Sequence, residues 1–316
     1  MREYEAEVLF RPSDSSLTFL PEGPYPCGAG QFSWVAIQHG ANSTVGSLNI
    51  FDPTTATNTT HELHGRPGFA FATNQNDTFV AGIERHIGVF NIETADWTPL
   101  TGPIDDDVDG TIINDGLVFD GGLIFGAKDL NFKEKKAGLY LWRRSDRQLF
   151  RLRSDQICSN GKALIRRDGT TFLLDIDSPT KTIVEYPLDV AAGKLGEAHI
   201  VVDLRNGSVF PDGMILTPDE QSVIVSMYNP ADASHGETRQ YRLADGEQEA
   251  VWKTPGSPQV TCPQLISHDD TIKLVMTTAI EHMPQERLAS HPNAGCLFIA
   301  NTDFDGLPNQ PVFEIS

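Results

Sequence analysis

The sequence predicts an all-β fold, a six-bladed propeller closed around a central divalent-metal site. Three observations lead there. Strand-like segments fill the chain, a repeat of about fifty residues runs through it, and polar residues recur at one position of that repeat.

The strands are legible as "FSWVAIQHG", "SLNIFD", "TFVAGI", "IGVFNIE", "GLIFGA", "GLYLWR", "TTFLLDI", "SVIVSMY", "TIKLVMTTA", "GCLFIAN" and "PVFEI". They are rich in β-branched and aromatic residues and are separated by turn signals such as "FDPTT", "RRDGT", "LTPDEQ" and "SHDDT". Helix-period segments are scarce, so successive hairpins are the economical reading. Glu22, Gly68, Asn114 and Asn160 follow one another at intervals of 46 residues, and Asp212 and Cys262 follow at 52 and 50. Six units of that length match six four-stranded blades. An unpaired sheet edge invites aggregation, so "YEAEVLF" is expected to close the ring in the last sheet beside "GCLFIAN" and "PVFEI". The chain then reads as one domain over residues 1–316.

The innermost strand of each blade lines the channel, so residues entering those strands converge on the axis. Four of the six anchors carry oxygen: Glu22 in "LPEGP", Asn114 in "IINDG", Asn160 in "CSNGK" and Asp212 in "FPDGM", with Gly68 and the Thr261/Cys262 pair completing the ring. One Glu, one Asp and two Asn form a hard-oxygen set whose two charges balance a divalent ion. Glycine close behind each oxygen-bearing residue permits close backbone approach. The competing reading makes each x-[ND]-G an ordinary surface hairpin turn.

With 43 Asp and Glu against 24 Lys and Arg the net charge is −19, which repels phosphate backbones and excludes nucleic acid as a partner. No apolar run reaches the roughly 18 residues that would span a bilayer, so no membrane role and a cytoplasmic location are expected. The four cysteines form no CxxC pair and read as packed thiols. "DDDVDG" (105–110) starts like an EF-hand loop but reaches Gly116 where the bidentate Glu should stand, so a solvated acidic loop is predicted. "HELH" (61–64) has the wrong spacing for a helical zinc motif. Neither a G-x-S-x-G elbow nor a P-loop is present, which removes serine-nucleophile and nucleotide chemistry.

At the anchor residues the sequence resembles the SMP-30/gluconolactonase/luciferin-regenerating family of six-bladed propellers. "LPEGP", "NDGLVFDGGLIFGA", "SNGKAL" with "FLLDIDSPTKTI", "FPDGMILTPDEQSVIVSMYN" and "PNAGCLFIA" carry the resemblance, which spans nearly the whole chain. It implies a metal-dependent hydrolase of sugar lactones or related esters, with Glu22, Asn160 and Asp212 as metal ligands. Asn114 is implied beside them as ligand or substrate contact. The sequence departs from the family at Ile112, where some sugar-lactone members carry arginine, and at Lys128, which stands where animal members carry an apolar residue.

Ca²⁺ is the expected ion, with Mg²⁺, Mn²⁺ and Zn²⁺ as others the site could take. The ion would polarise the ring carbonyl while Asp212 takes a proton from water, water activated by the ion itself being the rival scheme. Asn114, Asp115, Lys128 and Asp129 are the expected substrate contacts, and a small-molecule lactone or ester is the expected partner of a monomer or small homo-oligomer. Two alternatives stay open: an organophosphate or phosphoester hydrolase on the same metal site, and a non-catalytic propeller that binds a partner.

Overall fold

Six sheets form a ring in the computed structural model, which describes residues 1–315. The innermost strands are Pro21–Gly28, Pro67–Ala72, Thr111–Phe119, Ser159–Arg167, Phe210–Leu216 and Val260–His268, defining blades one to six. Each packs against the innermost strand of the next blade, and the sixth packs against the first, so the ring closes.

Burial explains the sequence pattern. In blade three the second strand, Gly122–Asp129, is buried at every position because neighbouring blades cover both of its faces. Residues 122–127 therefore read as a continuous apolar run, before Lys128 and Asp129. The outermost strand, Gln148–Gln156, mixes buried and exposed positions, and in blade one the outer strand Thr57–Glu62 is wholly polar. Aromatic layers between the blades, such as Phe69 stacked on Phe71 at 5.0 Å and Phe125 on Tyr140 at 5.6 Å, fill the wedges.

The N-terminal segment closes the ring as expected, but it serves two blades. Glu7–Phe10 pairs antiparallel with Leu297–Asn301 as the outer strand of blade six, while Arg2–Glu5 adds a parallel fifth strand to blade five beside Gln248–Pro255. Tyr4 stacks on Trp252 at 5.2 Å across that junction. The "PVFEI" expectation is corrected: this segment joins no sheet in blade six, whose outer edge Glu7–Phe10 already occupies. The chain instead crosses the ring. Gln310 Nε2 donates to Gln264 Oε1 and Leu265 O at 3.0 and 2.8 Å, Tyr25 Oη donates to Pro311 O at 2.7 Å, and Phe313 bridges Thr73 in blade two.

The acidic loop is solvated at Asp106, Asp107 and Asp109, as expected, and the expectation is corrected at Asp105 alone. Asp105 is buried, receiving Tyr140 Oη at 2.6 Å, Gly138 N at 3.2 Å and Arg151 Nη2 at 3.3 Å, so it ties the entry of blade three together. Among the described residues no helix is long and apolar enough to cross a membrane.

Candidate active site

All six innermost strands are bulged at their anchors. The register shifts fall between Glu22 and Tyr25, Pro67 and Phe69, Ile113 and Asp115, Asn160 and Lys162, Pro211 and Met214, and Val260 and Pro263. A bulge breaks the strict alternation of a strand and re-aims one side chain, here toward the axis. The anchors thus lie inside strands, and the hairpin-turn reading fails. Glycine is required for close packing: a Cβ on Gly161 would come within 2.7 Å of Asp212 O, and one on Gly68 within 2.5 Å of Ile113 O. Gly68 is the anchor without a side chain because the next blade's backbone occupies its space.

Glu22, Asn114, Asn160 and Asp212 line one cavity of about 300 Å³ and are all buried. Their orientations follow from hydrogen-bond direction. Ser178 Oγ donates to Pro211 O at 2.7 Å, so it accepts from Asn160 Nδ2 at 2.8 Å, which leaves Asn160 Oδ1 for Asn114 Nδ2 at 2.9 Å. Asn114 Nδ2 also donates to Ser159 O at 2.9 Å. Asn114 Oδ1 accepts from no described residue and is left free for a ligand.

The carboxylates lack donors. Glu22 has the backbone N–H of Gly23, and Asp212 receives no hydrogen bond from any described residue. Burial holds both carboxyls well above the usual carboxylate range; the next cause is the charge of Asp212 at Glu22 and that of Asp115 at Asp212. Lys128, buried in the same cavity, opposes the rise at both. No three His, Cys, Asp or Glu side chains among the described residues gather as a metal set. The donors here are two carboxylates and two amides, all oxygen, and donor-starved buried carboxylates fit a hard divalent cation.

The predicted substrate contacts separate. Lys128 and Asn114 line this cavity, but Asp115 lines a second one of about 150 Å³ toward the crossing C-terminal segment, 3.8 Å from Lys162 Nζ. Asp129 lines neither cavity. Its oxygens take the backbone N–H groups of Asn131, Lys133 and Glu134 and pair with Lys136 at 3.3 Å, so it shapes the loop after its strand. Burial pushes the Cys158 thiol well up, leaving a packed group in the cavity wall and no thiolate nucleophile.

Sequence reasoning missed Glu281, which reaches the cavity from the loop following Thr271–Thr278. Its carbonyl is fixed by Tyr228 Oη at 2.8 Å and Gln259 Nε2 at 3.0 Å. No anchor spacing marks it, because loops carry no blade period. Phe132, Phe210 and Pro230 form the apolar part of the wall, and exposed His282 stands at the rim, its ring 6.2 Å from that of Phe132.

The profile of the SMP-30/gluconolactonase/LRE-like region matches residues 20–280. A Bacillus subtilis (strain 168) protein provisionally named sugar lactone lactonase YvrE is 28% identical over 193 residues, and the match spans 61% of each chain. Among solved structures, the calcium-binding protein regucalcin of Agrobacterium tumefaciens superposes with a TM-score of 0.81 at 20% identity over 100% of both chains. A luciferin-regenerating enzyme superposes at 0.77 and 16% identity, over 98% of this chain and 99% of its own. At those identities the structural matches speak for the fold.

Proposed function

The chain belongs to the SMP-30/gluconolactonase/LRE-like family, and from that premise we propose that it is a metal-dependent hydrolase that opens a lactone ring. The observation that carries the reading is the pair of buried, donor-poor carboxylates, Glu22 and Asp212, beside two oriented amides in one cavity. Glu22, Asn160 and Asp212 would hold a divalent ion, Ca²⁺ first, with Asn114 Oδ1 completing the set or facing the substrate. When bound, such an ion supplies Lewis-acid polarisation of a carbonyl and charge stabilisation.

The chain's own residues do the rest. Asp212 has no competing donor and, once ionised beside Lys128, can accept a proton from water at one of its oxygens as the water oxygen adds to the lactone carbonyl. The same proton then passes to the ring oxygen as the ring C–O bond breaks, leaving a hydroxy acid. Asn114 and Asn160 hold their places through Ser159 O, Ser178 Oγ and each other, which keeps the donor set fixed during turnover.

Asp212→Asn tests the proton role, because it keeps an oxygen and the shape but cannot accept the proton. Turnover of a lactone panel at saturating Ca²⁺, followed in a pH-stat, should fall about 10²- to 10⁴-fold, and Asn114→Ala should fall less. Near wild-type turnover in the Asn variant would remove Asp212 as the base. A wild-type protein that hydrolyses no lactone or ester, with its ion bound, would sink the hydrolase reading.

A further inference from the structure

Lys128 is a buried cation whose donors are unspent. It is 3% exposed and lines the cavity that holds Glu22 and Asp212, yet no described residue accepts a hydrogen bond from its Nζ. Its Nζ lies over the ring of Phe132, 5.4 Å from the centroid. The other buried lysine of the channel shows the contrast. Lys162 Nζ donates to Asn160 O at 2.6 Å and lies 3.8 Å from Asp115 and 4.0 Å from Asp175. An ammonium carries three N–H donors, and here they are open to the cavity, where a ligand oxygen can take them. The attraction of Glu22 and Asp212 reaches Lys128 through space but satisfies none of those donors at contact distance.

We propose that Lys128 receives a carboxylate carried by the substrate, so that the preferred lactones bear an acid group on or beside the ring. This deepens the hydrolase reading above and rests on it. Charge selects the acid. Glu22, Asp212 and Glu281 line the same cavity, with Lys128 as its one lysine or arginine among the described residues. A single ammonium matches a monoanionic carboxylate, whereas a phosphate dianion would bring a second negative charge among three carboxylates without a second cation. Phe132 and Phe210 offer apolar wall to the carbon skeleton.

Calorimetry on the Ca²⁺-loaded chain decides it, with tetrahydrofuran-2-carboxylate against uncharged tetrahydrofurfuryl alcohol, neither of which has an ester to cleave. Wild type should bind the carboxylate at least about tenfold tighter, and Lys128→Met, which removes a buried charge at similar volume, should abolish the preference. Equal binding of the two ligands by wild type overturns the proposal. So does a preference that survives in Lys128→Met, since the acid then goes to the ion, or tighter competition by inorganic phosphate than by the carboxylate. Should Lys128→Met fail to fold, Lys128→Gln is read in its place. Hydrolysis of 5-oxotetrahydrofuran-2-carboxylate and of γ-valerolactone is followed separately. A carboxylate preference in binding with no lactone or ester of the panel hydrolysed refutes the hydrolase reading and leaves Lys128 as the receiver of a ligand carboxylate.

Discussion

Asp175 lies behind the candidate site and should report on the pH dependence of folding. Burial pushes its carboxyl to about 6, with Lys162 and the 2.5 Å hydrogen bond from Gln156 offsetting only part of the rise, and its Oδ1 has no hydrogen-bond partner. A folded-state value raised above the ordinary one means that folding favours the protonated form. Its contribution is full below about pH 4 and is lost as pH rises through about 6. A carboxyl raised that far contributes about 3 kcal/mol at most. Urea midpoints from pH 4 to 8 should therefore fall more steeply for wild type than for Asp175→Asn, which cannot ionise. Parallel curves would show that burial is relieved by a route the structure does not contain. Nothing in "FLLDID" announced this, since a strand pattern records which face is buried but not which polar side chains of other blades meet there. Asp129 teaches the same limit from the other side: its place next to Lys128 in sequence suggested a substrate contact, yet its oxygens are spent on three backbone N–H groups.

At the scale of the strand, what was legible is what repeats. Glu22, Asn114, Asn160 and Asp212 stand out because each blade needs a bulge at the same point of its innermost strand, and the blade period writes that point into the sequence. Glu281 and the destination of "PVFEI" were not legible, because a loop and a terminal segment find their places through contacts with distant residues. The closing strands test this view. Glu7–Phe10 and Arg2–Glu5 cover the outer strands of blades six and five, so removing residues 1–11 exposes Leu297–Asn301 and Gln248–Pro255 as unpaired edges. The melting temperature should fall by about 10 °C or more, given the loss of partly buried Tyr4, Val8 and Phe10 from their apolar clusters. Sedimentation should show self-association, because exposed edges pair with one another. A truncated chain that stays monomeric with an unchanged melting temperature would mean that blade six needs no outer strand.

For the whole ring, the proposed ion site would couple ion binding to stability. The four candidate ligands come from blades one, three, four and five, so an ion held among them would bridge four blades of the ring. The unfolded chain cannot assemble that set, and the ion should therefore stabilise the native state by mass action. At a free concentration one hundred times Kd the gain is about 2.7 kcal/mol, or roughly 5 °C in melting temperature for a chain of this size. Scanning calorimetry with chelator, and then with rising Ca²⁺, should show a midpoint that climbs with the logarithm of concentration. Variants give the change its sign at each residue. Glu22→Gln removes a charge from the donor set and should weaken the climb, whereas Lys128→Met removes a cation that opposes the incoming ion and should move its onset to lower Ca²⁺. The chelated Lys128→Met protein should in turn melt lower than chelated wild type, because Glu22 and Asp212 then face each other without a compensating charge. If Ca²⁺, Mg²⁺ and Mn²⁺ all leave the midpoint of wild type and both variants unchanged, these oxygens hold no ion, and one proton on the buried pair together with the Lys128 ammonium balances the charge instead.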